Sequence, residues 1–486
     1  MELIPDAHVG QCTIGTAASG RRTPTIVGGA RATGSAGRHR AVRWLRRAPI
    51  LTALALVVVA TGVAWIRLPT DALGAIWADD AQPFLSEAWA NGPWASVFTP
   101  YAGYLHVVPR IVTALTVQFL PLDLAAFGLA AGSCIVAGIT AGLVFVCSGA
   151  VLPWAPARVA VALITVMAPL LPVQVLGNPT NLHWFAVWLT PWLLLARPKG
   201  RGTTVVFFLA ALLAALTEPQ VLLFVPLIFV PPYRRRRFLV MAGTLIGGIV
   251  QIVVSVIAPR VISGDIDLGF VSVLRGWLFY AVLRLWVPSD GTAADMIVGS
   301  GWWVAVVALL PFVAAAVVVV LRGTAATRLL LVALTAASIG TFATPYLVNK
   351  GGGSDYADYS RWEGYDLIVS LTQDPIAIFA AHRYAVAPQM FLLATLPLAA
   401  YALWRSGRRR MTVAPLVVLG VVFGMAFLGN HPSDRDGSPD WADDVATARA
   451  ACAALPEDTA LTWESFPQGW SVTFTCAQID AGYPRS

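Results

Sequence analysis

Two adjacent carboxylates, Asp79 and Asp80, lie in a segment (70–104) that also carries Asp71 and Glu87 and has no Lys or Arg. Around them stand Trp77, Phe84, Trp89, Trp94, Phe98, Tyr101 and Tyr104. A carboxylate so placed can take a proton from a hydroxyl as a general base, or bind a metal. The plainer alternative is a solvated acidic loop. A second group is the run Tyr101 to Arg110, in which His106 and Arg110 stand four apart and share one helix face. Together they can hold a phosphate or orient a carboxylate, or simply anchor the chain at an interface. A third is Asn178-Pro-Thr-Asn181-Leu-His183-Trp184. Its amides and imidazole suit sugar hydroxyls and its indole can stack on a sugar face, whereas Asn178 or Asn181 can equally cap a helix. Glu218 falls inside an apolar run, where a carboxylate is costly and by default functional; it can also cap a half-helix. His382-Arg383-Tyr384 precedes a late apolar run, where Arg383 is well placed to grip a phosphate. Lys350, Arg361 and Glu363 are weaker candidates.

The elements that must position these groups are membrane helices. The chain is 57% hydrophobic and 12% charged, against about 25% charged in a soluble domain. That balance excludes a water-soluble enzyme, a disordered scaffold and a coiled coil. Apolar runs of about 20 residues recur, with no alternation of a β-barrel kind. The expected fold is an all-α polytopic membrane protein with about 11 transmembrane helices. Interfacial helices are expected in the first outer loop, and a small extracytoplasmic segment at the C-terminus. The spans read as 49–68, 124–148, 157–173, 182–196, 203–217, 219–232, 238–258, 302–321, 328–348, 389–404 and 411–429. The positive charge is almost all Arg, with Lys only at Lys199 and Lys350. With abundant Ala, this looks like the codon bias of a GC-rich genome and not a nucleic-acid site. The Arg clusters between spans place the N-terminus in the cytoplasm and the C-terminus outside.

Residues 1–47 read as a disordered basic cytoplasmic tail, and 48–429 as the multi-span membrane domain. Its outer loops are 70–104, 259–300 and 349–388. Residues 430–486 form the outer C-terminal segment, with nine acidic residues against three Arg. Cys452 and Cys476 there imply a disulfide, because that compartment is oxidising. The stretch 105–121 reads as lying along the interface, with three short crossings over 105–150 as the alternative. The stretch 203–232 is interrupted at Thr217-Glu218-Pro219-Gln220, which suggests a hairpin lining a cavity. There is no GxGxxG, P-loop or GxSxG, and no CxxC or HExxH metal spacing. A glycosyl donor used on the outer side would have to be lipid-linked.

Trp77-Ala-Asp79-Asp80, the Tyr101 to Arg110 segment, Asn178 to Trp184, and Arg383-Tyr384 together resemble the GT-C superfamily of integral-membrane glycosyltransferases over roughly 49–486. The resemblance is architectural. It implies a hexosyl- or pentosyltransferase of the cytoplasmic membrane. Such an enzyme would move a sugar from a polyprenyl-phosphate donor to a cell-envelope glycan, lipid or protein acceptor on the outer face, with inversion. Asp79 or Asp80 would be the base. Arg383, with Arg110, would stabilise the departing phosphate. Asn181 and His183 would bind sugar, with His106, Asn178, Glu218 and Tyr384 also at the donor. Some members of the superfamily need a divalent metal, and a single acidic pair leaves that open. Membrane lipids are expected partners and nucleic acid is not. A polysaccharide polymerase or ligase working through loop 349–388, a lipid-linked-sugar flippase, and a catalytically inactive scaffold are the competing readings. A flippase would predict internal repeats with matching broken helices, and the sequence has one clear break and no repeat.

Overall fold

The computed structural model describes residues 35–231, 235–260, 269–348, 382–428, 433–467 and 469–481. Lys350, Arg361, Glu363 and most of the 349–388 loop lie outside them. The chain divides into Met1–Ala48 and Pro49–Ser486. Of the first unit, only helical backbone from Ser35 onward is described. The second unit holds the helical bundle and every candidate site residue.

The described residues are 76% helical with almost no strand. The principal helices are α1 (Ser35–Ile66), α2 (Val107–Phe119), α3 (Ala125–Ser148), α4 (Ala155–Met167), α5 (His183–Leu195), α6 (Arg201–Ala215) and α7 (Arg235–Ile257). After them come α8 (Phe270–Leu285) and α9 (Asp290–Ser300), joined at a bend of 117°. The series ends with α10 (Trp303–Arg322), α11 (Ala325–Val348), α12 (His382–Arg405), α13 (Val413–Leu428) and α14 (Trp441–Cys452).

Among the described residues, five helices are long and apolar enough to cross a membrane, six if α8 and α9 count as one span. Six more apolar helices are shorter, at 10–17 residues, so eleven full-length crossings do not follow from the helix lengths. Local breaks cut them short. Glu218-Pro219 ends one helical run, and Pro219–Phe229 continues as a 3-10 helix. At the start of α2, Pro109 sits in the first turn, where a missing N–H costs nothing. Large apolar side chains stay exposed along α7, α10 and α13, among them Ile249, Val306 and Val421. A surface this apolar is that of a multi-pass membrane protein.

Two helices are apolar all round and therefore central. Every residue of α5 is buried, including Trp184, Trp188 and Trp192, and α12 is buried from Ala385 to Leu403. In a lipid surround, burying apolar area gives little drive for helix association; close packing and internal hydrogen bonds supply it. Gln389 on α12 illustrates the second. Its amide donates to Tyr280 O at 2.9 Å and accepts from Leu170 N at 3.2 Å. Arg67, just past α1, donates to the carbonyls of Val166, Ala168 and Ala426, the last two at 3.2 Å. A cation is favourable at helix C-termini, and this one gathers the ends of α1, α4 and α13.

The C-terminal segment holds the one strand pair among the described residues. β1 (Ala460–Ser465) and β2 (Trp470–Thr475) pair antiparallel, with Ala460 opposite Thr475. Val472 and Phe474 face inward against Trp441 of α14 and Trp463. The Cys452–Cys476 disulfide closes α14 onto the end of β2.

Close packing is most demanding where α3 crosses α1. A Cβ added at Gly138 would lie 2.1 Å from Thr61 Oγ1 and 2.6 Å from Val57 O, and one at Gly142 would lie 2.6 Å from Val57 Cγ2. This is a small-xxx-small contact. Gly138→Leu is expected to force α1 off α3 and destabilise the protein by about 1–3 kcal/mol. The check is a lowered thermal unfolding midpoint in detergent, beside an exposed control such as Gly420→Leu, which has open space at its Cβ position.

Candidate functional site

The acidic pair sits on a 3-10 turn, Ala78–Asp80. Ala78 has φ +41°, a left-handed conformation that costs a residue with a Cβ about 1–3 kcal/mol unless its surroundings hold it. The hold is visible: Ala78 N donates to Phe466 O at 2.6 Å. Asp80 is 2% exposed. Its Oδ1 accepts from both the backbone N (2.8 Å) and the hydroxyl (2.6 Å) of Thr180. Burial pushes its carboxyl up to about 7, with the Thr180 bonds and Arg435 pulling the other way and Asp79 adding to the rise. Asp79 is only partly buried. It accepts from the Tyr101 hydroxyl at 2.5 Å and is faced by Arg383 and Arg260. Burial raises its carboxyl above the usual range, and those three groups offset the rise only in part. The two neighbours therefore differ in kind: Asp80 is buried and bound twice by Thr180, and Asp79 is partly exposed and bound once, by Tyr101.

Next to this turn runs a wall of rings. Tyr104 stacks on His106 with centroids 4.0 Å apart, and His106 lies 6.3 Å from His183. Tyr104 Oη is 3.4 Å from His183 Nδ1, and Glu218 Oε2 is 3.2 Å from the same nitrogen. Glu218 Oε1 accepts from Gln220 N at 2.9 Å. One buried carboxylate thus both caps the helix after the break and holds an imidazole. The capping reading of Glu218 is met by its bond to Gln220 N. Trp184 touches His183 edge-on at 4.5 Å and Tyr384 at 6.0 Å.

Backbone anchors keep this wall in place. Gln251 of α7 grips Leu105, accepting from its N at 2.9 Å and donating to its O at 3.0 Å. Ser255 Oγ donates to Gly103 O at 2.8 Å. The helix break meets the start of α2 where Val108 N donates to Thr217 Oγ1 at 3.1 Å.

Other sequence candidates are engaged elsewhere. Arg110 pairs with Glu87 at 2.8 Å and lies 4.7 Å above the Phe84 ring. Asn178 Oδ1 accepts from Asn181 N at 3.2 Å, and Asn181 Nδ2 donates to Gln174 O at 3.1 Å. These amides shape the turn that presents Thr180. Arg383 donates through its backbone N to Gln174 Oε1 at 3.2 Å and through Nη2 to Tyr384 Oη at 3.3 Å.

Several residues at the site escape a reading by residue type. Thr180 is an ordinary Thr until it meets Asp80. Gln174 lies in an apolar run. Arg260 carried a usable signal: it is a lone Arg at the end of a span that is expected to face outward, against the charge bias. Gly103, at φ +90°, lets it approach, since a Cβ there would lie 2.9 Å from the Arg260 backbone N. Among the described residues no three His, Cys, Asp or Glu side chains converge as metal ligands.

No protein-family model matches the chain, and no curated protein and no solved structure is similar to it.

Asp80 generates a stability prediction. Its folded pKa of about 7 exceeds the ordinary 3.8, so the folded state holds the proton more tightly than the unfolded one. This contribution is complete below about pH 4 and is lost as the pH rises through about 7. Asp80→Asn keeps the Oδ1 acceptor for Thr180 and should flatten thermal stability across that window. Asp80→Ala strands a buried N–H and hydroxyl and should cost about 1–3 kcal/mol. Unfolding midpoints measured from pH 4 to 8 on the three proteins check both expectations.

Proposed function

We propose that this protein is a glycosyltransferase of the cytoplasmic membrane, of GT-C type. It transfers a hexose or pentose from a polyprenyl-phosphate donor to a cell-envelope glycan, lipid or protein on the outer face. In this reading about eleven spans cross the membrane and 105–121 lies along the interface, the N-terminus is cytoplasmic and the C-terminus is outside. The observation that carries the proposal is Asp79: a partly buried carboxylate, hydrogen-bonded by Tyr101 at the end of a lipid-compatible bundle, with Arg383 and Arg260 near enough for their charges to favour its ionised form.

The acceptor hydroxyl loses its proton to the Asp79 carboxylate as its oxygen attacks the anomeric carbon. The bond from that carbon to the phosphate oxygen breaks on the opposite side. Its electron pair leaves with polyprenyl phosphate, so configuration inverts. Arg383 and Arg260 meet the charge that gathers on the departing phosphate, which is where fixed cations lower the barrier most. His183, held by Glu218 and Tyr104, and Trp184 are the groups for the sugar hydroxyls and ring face. Asp80 holds the turn, and this divides the pair into one base and one support. Arg110 and the two asparagines support the fold of the site and do not touch donor in this scheme.

The test is release of polyprenyl phosphate from a panel of polyprenyl-phosphate sugars and acceptors. Wild type should turn over at least one donor. Asp79→Asn should lower the rate by about 10²–10⁴ with normal folding, and Asp80→Asn should retain most activity. Arg383→Ala should lower turnover as well. Turnover unaffected by Asp79→Asn would sink the assignment of the base. No binding or release by wild type across the panel would favour a transporter or a scaffold.

A further inference from the structure

The acidic turn and Arg383 come from segments about 300 residues apart, yet one short turn touches the supports of both. Ser433–Asp436 lies at the head of the C-terminal module. Ser433 Oγ and Asp434 N both donate to Val173 O, at 3.1 and 3.2 Å. Arg435 is 1% exposed and its Nη2 donates to Leu176 O at 2.6 Å. The Asp434 carboxylate accepts from the Gln174 amide and lies 3.4 Å from His382 Nδ1. Gln174 is the junction: its side-chain oxygen takes Arg383 N, and its backbone oxygen takes Asn181 Nδ2. The Asn181 turn in turn presents Thr180 to Asp80. Arg435 faces Asp80 itself.

The same module holds the acidic turn from its other side. Phe466 O accepts from the strained Ala78, Phe466 packs on Trp77 at 5.5 Å, and Gly437 N donates to Asp71 Oδ2 at 2.9 Å. Trp441 Nε1 donates to Leu122 O at 2.7 Å, and Phe474 packs on Trp89 at 5.6 Å. Burying Arg435 in this way is costly unless its partners are fixed, and at 1% exposed its side chain does not reach open solvent to bind a ligand of its own; the Asp434 carboxylate is 28% exposed and is held by Gln174 and His382.

We infer that Asp434 and Arg435 are positioning residues: the Ser433–Asp436 turn sets the Asp79–Asp80 turn and the Arg383 end of α12 in one frame, so that the site is complete only when the C-terminal module is docked. The inference rests on the reading of Asp79 and Arg383 as the working pair. It assigns the module a task other than acceptor binding. It also gives the Cys452–Cys476 disulfide a consequence for the site, since that bond closes the module that supplies Phe466.

The test uses the full chain in detergent, with Arg435→Met, Arg435→Lys and Asp434→Asn. Met keeps the volume of the buried side chain without its charge, so the fold should survive. Two measurements are made on each protein. Backbone hydrogen exchange should quicken about tenfold or more in 76–81 and in 173–181 for Arg435→Met, with α3 and α12 unchanged. Donor turnover should fall about tenfold or more in kcat with KM for the donor little changed, as expected when a group made ready for the transition state is displaced. Arg435→Lys should recover part of both effects, and Asp434→Asn should act on 173–181 and on kcat. Arg435→Met with wild-type exchange in both turns overturns the inference, as does a kcat loss that Lys does not relieve. If wild type turns over no donor, the glycosyltransferase reading fails, and the exchange measurement alone decides whether the turn positions these two segments.

Discussion

The end of the bundle that carries the acidic pair depends on one arrangement, the pair of hydrogen bonds from Thr180 to a single oxygen of Asp80. A carboxyl group 2% exposed cannot stay among apolar helices without partners, because its desolvation is uncompensated. Thr180 supplies two donors from one residue, and in doing so ties the 70–104 segment to the turn between α4 and α5. Everything beside it follows from this tie. The neighbouring residue, Asp79, is left turned toward Tyr101 and the two arginines. One carboxylate serves structure so that the other is held in place with its charge contacts intact.

The same rule, that buried polar groups in a membrane protein need protein partners, explains features that look unrelated in the sequence. Arg67 meets the carbonyl ends of α4 and α13. Gln389 and Gln251 each use both ends of an amide to fix a backbone segment from a neighbouring element. Glu218 uses one oxygen for a helix start and the other for His183. Each of these side chains costs free energy to place inside, and each turns that cost into a fixed relation between two segments. Association of the helices in lipid gains little from apolar burial alone, so such contacts carry much of the specificity.

The parts that could be read from the residues are those whose chemistry clashes with their surroundings. Asp79, Asp80, Glu218, His183 and Arg383 are charged or titratable groups in an apolar chain, and the structure brings them to one end of the bundle. The all-helical class was legible for the same reason, through runs of apolar residues. Span lengths were less so. A hydrophobic window does not register a break such as Thr217-Glu218, and α5 is apolar because it is central, a property composition cannot separate from crossing the membrane. Thr180, Gln174, Asp434 and Arg435 were not legible as site residues. Nothing in their type or spacing is unusual, and their roles arise from partners about 100 to 260 positions away. The amides Asn178 and Asn181 drew attention as polar groups among apolar ones, and their bonds are to the turn itself.

The strained Ala78 bears on how such a site is kept. A residue with a Cβ at positive φ persists only where its neighbours over-determine it, and here the neighbour is Phe466, nearly 400 residues later in the chain. Gly at position 78 would relax the strain, but would also free the turn to move. Ala with an external hydrogen bond instead makes the conformation conditional on the contact. The acidic turn therefore holds this geometry through a tertiary contact and not through local preference.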